Sequence, residues 1–95
     1  MNPESFTSPP LRRSDRVLVQ KVDGSVVLLH LDDGSYFALE GVGVRFWELL
    51  DGQTALPDIA ARIATEYGVP RDRVEQDLVE LATNLADERL VERHP

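Results

Sequence analysis

The chain has 95 residues, 42% of them hydrophobic and 28% charged, with no cysteine, which suits one small domain held by packing and excludes disulfides, thiolate metal sites and cysteine nucleophiles. Ten basic residues against seventeen acidic ones give a net charge of −7, and residues 17–95 alone carry −8. A body this acidic repels phosphate backbones, which argues against nucleic acid and favours a neutral or basic peptide as partner.

No apolar run approaches the roughly 20 residues that a membrane span needs, and the opening MNPESFTSPP lacks the apolar core of a signal segment. A cytoplasmic protein with no membrane partner is the expectation. Residues 1–15 place Pro3, Pro9 and Pro10 among hydroxyl side chains and few apolar ones, so they are read as a flexible arm, with the domain itself spanning 16–93. Three runs rich in β-branched and aliphatic residues follow, Val17–Val22, Val26–Leu31 and Ser35–Leu39. Asp23-Gly24 and Asp33-Gly34 separate them, and Asp-Gly between apolar runs is a strong hairpin signal. The reading is a three-stranded antiparallel meander whose third strand lies at an edge.

After Leu39 the period becomes helical. Gly43–Leu50 brings Phe46, Trp47, Leu49 and Leu50 within two turns and stops at Asp51-Gly52, which predicts a short, largely buried helix. A second helix is marked by the stripe Leu56, Ile59, Ala60, Ile63, Ala64 and Tyr67, with Pro57 near its start and Gly68 at its end. The third opens at Pro70, carries Val74, Leu78, Leu81 and Leu85 at helical spacing, and runs to about Glu88. Leu90-Val91 is read as a terminal β-like segment packing back on the sheet. The second and third helices form a helix-turn-helix, so the fold class is α+β, a winged helix-turn-helix-like domain.

Catalytic chemistry finds little support in these residues. Histidine occurs only at His30 and His94, and a metal or acid–base site using both would need one from the last two residues. Close carboxylates such as Asp32-Asp33, or Asp72, Glu75 and Asp77, fit a turn and a solvated helix face. The glycines of Glu40-Gly41-Val42-Gly43-Val44 lack the lysine and hydroxyl that a phosphate loop requires and read as a tight strand-to-helix turn. No enzyme activity and no cofactor are expected. The helix-turn-helix raises a DNA-binding alternative, yet Pro70–Arg89 holds three arginines against six acids, which opposes phosphate contacts.

The third strand is the remaining feature. Ser35, Tyr36, Phe37, Ala38 and Leu39 include no proline, lysine or other charge of the kind that blunts sheet edges. Phe37 and Leu39 share the inward face with Ser35, while Tyr36 and Ala38 point the other way. Such an edge suits an added peptide strand, and it equally suits cover by the arm or pairing in a homodimer.

The run from Asp33 to Gly52, ending in Trp47-Glu48-Leu49-Leu50-Asp51-Gly52, resembles the PqqD family of peptide-modification chaperones, as do Ile59-Ala60, Tyr67-Gly68-Val69 and Val74-Glu75-Gln76-Asp77-Leu78 further on. The resemblance covers about residues 16–92. It implies a non-catalytic RiPP recognition element, a domain that binds the leader of a ribosomally made precursor peptide. In that family the leader adds to the third strand and lies against the third helix. Carried to this chain, the resemblance implies an edge at Ser35–Leu39 and a helix surface of Val74, Asp77, Leu78 and Leu81. Asp77 would accept a hydrogen bond or attract a basic group. Freestanding members of this size look most like the leader-binding proteins of lasso-peptide clusters, partners of a leader peptidase and a macrolactam synthetase. The pyrroloquinoline quinone chaperone, which serves a radical-SAM enzyme, is the alternative within the family.

Overall fold

Asp23 and Gly24 both take positive φ, 49° and 85°, the backbone of a type I′ turn whose twist matches the strands it joins. Around that turn the computed structural model, which describes residues 10–93, pairs strands as expected. Taken in chain order, β1 is Leu11–Arg13, β2 Val17–Val22, β3 Ser25–His30 and β4 Tyr36–Leu39; α1 is Val42–Leu49, α2 Leu56–Tyr67 and α3 Arg71–Asp87, and β5 is Val91–Arg93. β2, β3 and β4 form the antiparallel meander in that spatial order, with Leu18 opposite Leu29, and Leu29 opposite Tyr36. The strand read from sequence as the third is β4.

The connection before β4 is longer than the Asp-Gly signal suggests. β3 stops at His30, and the turn closes through His30 N–H donating to Ser35 O (2.8 Å) and Gly34 N–H donating to His30 O (2.9 Å). Leu31, expected in the strand, is half exposed in the turn. His30 is only 3% exposed. Its Nδ1 accepts the Asp32 N–H at 3.1 Å, which leaves the ring proton on Nε2 in the neutral imidazole.

One face of the sheet packs on the helices. Val26, Leu28 and Leu39 are buried there with Phe46 and Trp47 of α1, Ile59 and Ile63 of α2, and Leu78 and Leu85 of α3. α2 and α3 lie adjacent as the helix-turn-helix, with Pro57 and Asp58 in the first turn of α2, where a missing N–H and a negative charge both suit the terminus. Arg45 ties α1 to α2 through a forked contact to Glu66, with Nε to Oε1 at 2.8 Å and a terminal guanidinium nitrogen to Oε2 at 2.7 Å. That guanidinium holds the Glu66 carboxyl down at about 2.

Two expectations need correction. Residues 1–9 of the expected arm lie outside the described residues, but Leu11–Arg13 are not arm: β1 pairs antiparallel with β5, setting Arg12 opposite Glu92. Leu11 is 2% exposed and Arg12 contacts Glu92 at 3.1 Å, so one buried leucine and a short ladder order a stretch that composition alone marks as polar. The terminal β-segment, in turn, does not join the meander. Val91–Arg93 pairs with β1 in a separate two-stranded sheet, continued by Ser14 N–H donating to Leu90 O at 3.0 Å.

Candidate peptide-binding site

Which backbone groups of β4 are free follows from register. His30 N–H bonds Ser35 O, so in an antiparallel ladder the hydrogen-bonded positions alternate onward to Phe37 opposite Leu28 and Leu39 opposite Val26. The N–H and C=O groups of Tyr36 and Ala38 therefore point away from β3, along the open edge. Side chains alternate on the perpendicular axis: Leu39 is buried and Phe37 half-buried against the helices, while Tyr36 is 73% exposed and Ala38 exposed. The inward and outward assignment made from the sequence matches this pattern.

The end of β4 meets α3 across the first turn of α1. A Cβ built on Gly43 would sit 3.4 Å from Leu39 Cδ2 and 3.6 Å from Leu81 Cδ2. Gly43 therefore sits between Leu39 of the strand and Leu81 of α3, with room for little more than a methyl group. Beyond it opens a cleft of about 270 Å³ lined by Val42, Gly43, Val69, Arg73, Val74, Asp77, Leu78 and Leu81. All four helix residues inferred from the family resemblance lie in that lining. Val74 and Leu78 are 4% and 1% exposed and belong equally to the core, Leu81 is half-buried, and Asp77 stands exposed at the rim. Ser35, Tyr36, Phe37 and Ala38 do not line the cleft; they form the neighbouring edge, joined to it through Leu39.

Val42, Val69 and Arg73 escaped the sequence reading. Val69 offered a signal: it is an apolar residue, 40% exposed, between a helix-ending glycine and Pro70, where no core stripe requires it. On the solvent side of α3, Asp72, Arg73, Gln76, Asp77 and Glu80 border a polar groove, so Arg73 and Asp77 form a ridge between wet and apolar surfaces. The turn leading into β4 is also charged. Asp33 accepts Ser35 N–H (2.9 Å), Ser35 Oγ–H (2.7 Å) and a guanidinium N–H of Arg89 (2.9 Å), which together hold its carboxyl well below the usual range. The only polar side-chain atom buried without a hydrogen-bond partner among the described residues is Trp47 Nε1, whose ring lies 5.7 Å from the Arg13 guanidinium carbon. No group of three or more His, Asp or Glu side chains converges as metal ligands among the described residues, and no helix there is long and apolar enough to cross a membrane.

Comparison with known proteins gives the family and the fold. Among solved structures, the chain is similar to TbiB1 in complex with the TbiA(beta) leader peptide, at 42% identity and TM-score 0.77 over 85% of this chain and 94% of that one. It is similar to a lasso peptide synthetase B1 complexed with its leader peptide, at 29% identity and TM-score 0.72 over 86% of this chain and 96% of that one. A third match is the PqqD truncation of Methylobacterium extorquens PqqCD, described as a functional, stand-alone RiPP recognition element, at 26% identity and TM-score 0.78 over 98% of this chain and all of that one. No curated protein sequence matches. A family model described as coenzyme PQQ synthesis protein D matches residues 25–91, and the chain belongs to the PqqD family.

Proposed function

We propose that this protein is a RiPP recognition element that binds the leader of a precursor peptide as an added strand on β4 and delivers it to a processing enzyme. One observation carries the reading: an uncharged edge strand with free main-chain groups at Tyr36 and Ala38 ends, at Leu39, beside an apolar cleft on α3. The edge supplies backbone hydrogen bonds that hold any extended peptide, and the cleft supplies the side-chain recognition that chooses among them. Ser35 to Leu39 form the backbone docking line; Val74, Leu78 and Leu81 receive apolar leader side chains. Asp77 at the rim takes a hydrogen bond or a basic group.

A lasso-peptide pathway is favoured because one matched structure, at 29% identity, is a lasso peptide synthetase B1 complexed with the leader peptide, and the match at 42% identity, TbiB1, likewise holds a leader peptide. A pyrroloquinoline quinone-type chaperone is the second reading, supported by the family match. In either, the protein acts in the cytoplasm as a binding adaptor, not as an enzyme, and its value lies in raising the effective concentration of precursor at a peptidase, cyclase or radical enzyme. Calorimetric titration with synthetic TbiA(beta) leader peptide, against a scrambled peptide, tests the reading. Saturable one-to-one binding of the native order alone supports it; equal heats from both peptides would refute it. Sedimentation of the free protein decides whether a homodimer covers the edge instead.

A further inference from the structure

The end of α3 carries a feature that leader binding at β4 and the cleft leaves unexplained. The helix closes in a Schellman arrangement, with Arg89 N–H donating to Ala86 O and Leu90 N–H to Leu85 O, both at 2.9 Å. The left-handed position of that motif ordinarily holds glycine, yet here it holds Arg89 with φ 59°. A side chain there strains the backbone, so the reason for it lies in what the side chain reaches. The guanidinium meets Asp33 Oδ2 at 2.9 Å, while Oδ1 of the same carboxylate takes both donors of Ser35. Asp33 thus shapes the start of β4 with one oxygen and holds the end of α3 with the other.

Leu39 marks the other end of β4. It packs on Gly43 in the first turn of α1, which Leu81 of α3 also faces, so this end of the strand meets α3 only through α1, while the turn before β4 is tied directly to the end of α3 by the ion pair. Tyr36 and Ala38, whose main-chain groups face the open edge, lie between these two points.

We infer that Asp33 and Arg89 are positioning residues for leader binding: their ion pair fixes the start of β4 against the end of α3, so that edge and helix present a groove of set width to the incoming strand. This rests on the leader-binding reading above and adds two residues that act through β4. Their side chains are 41% and 66% exposed, so removing either one leaves the packed core untouched, and their attraction is open to screening by salt.

Arg89→Gly separates positioning from mere structural support. Glycine relaxes the left-handed backbone, so a purely structural account predicts equal or higher thermal stability with unchanged peptide affinity. Positioning predicts equal or higher stability, faster amide exchange at Phe37 and Leu39, and about fivefold weaker binding of synthetic TbiA(beta) leader peptide, the low end of couplings between separate sites. Arg89→Lys, which keeps the cation, recovers most of the affinity. The gap between wild type and Arg89→Gly closes near 1 M salt, where the screening length falls to about 3 Å. A folded Arg89→Gly protein with wild-type affinity and wild-type exchange overturns the inference alone. A wild-type protein that fails to bind the peptide removes the leader-binding reading and this role with it.

Discussion

Proline substitution along β4 provides a sharp test of strand addition, because adjacent residues turn their N–H groups to opposite sides. The Tyr36 N–H points to the open edge and makes no ladder bond, so Tyr36→Pro removes a donor that the fold does not use. An arriving leader loses that bond, worth about 1 kcal/mol, and buries a carbonyl without a donor at a further cost of about 1 kcal/mol or more. The sum of about 2 kcal/mol corresponds to roughly thirtyfold in Kd. Tyr36→Ala controls for the exposed phenol and should bind far better than the proline variant. Phe37→Pro gives the opposite pattern: it deletes a ladder bond to β3 and a half-buried ring, and should destabilise the fold by about 3 kcal/mol. Calorimetry with synthetic TbiA(beta) leader peptide measures the affinities, and circular dichroism melts confirm which variants remain folded. A folded Tyr36→Pro protein that binds the peptide as tightly as wild type would refute strand addition at β4.

Other residues make separate predictions. Glu66 titrates near 2 in the folded chain because Arg45 holds it ionised, so its stabilising contribution is complete above the ordinary carboxyl range near 4.5 and drains away as pH falls from there toward 2. Glu66→Gln should flatten the stability profile over that interval, seen in urea melts at stepped pH, while an unaltered slope would remove the pair as its cause. Leu11→Ala should destabilise by about 2 to 3 kcal/mol, because the side chain is buried in the core; a loss below about 0.5 kcal/mol would return β1 to the arm. Leu78→Ala should cost about 3 kcal/mol of stability, whereas half-buried Leu81→Ala should cost less stability and weaken leader binding, which parallel melts and titrations would separate. Duplex DNA at low salt should show no tight gel shift, since α3 exposes Asp72, Asp77 and Glu80 on its solvent face; a tight, salt-sensitive shift would revive the DNA reading.

Local signals carried most of the architecture into the sequence. Asp23-Gly24 specified its turn because both positions need positive φ, and the α2 stripe from Leu56 to Tyr67 specified a helix because its spacing repeats over three turns. The bare edge at Ser35–Leu39 was also legible, since the absence of charge in a strand is a local fact. β1 was not, because three residues with one leucine carry no period, and their order depends on β5, about 80 positions away. The cleft was half legible for a similar reason. Val74, Leu78 and Leu81 follow from the helical stripe and Asp77 from the family resemblance, but Val42 and Val69 reach the cleft from α1 and from the α2–α3 connection, a juxtaposition that no local pattern announces. The Asp33–Arg89 pair spans 56 residues and no local pattern announces it.

The meander has two open edges, and the reason to assign the peptide to β4 is what lies beside each. β2 is longer, carries only Lys21 as a charge, and by the same alternation turns the main-chain groups of Val17, Val19 and Lys21 outward. A strand added there would gain comparable backbone hydrogen bonds. Five of the six β2 residues are exposed, and the cleft beside that strand, about 220 Å³, sets the charges of Lys21 and Glu48 at the same mouth as Val26 and Val44. Backbone bonds are the same for every sequence, and a site made of them alone selects nothing. β4 differs in that the turn before it is tied to the end of α3 through Asp33, while its Leu39 end packs on Gly43 of α1, beside the apolar cleft on α3. On the proposed reading, discrimination between one leader and another arises where the β4 edge meets the cleft, and the charge at Lys21 makes β2 the lesser edge.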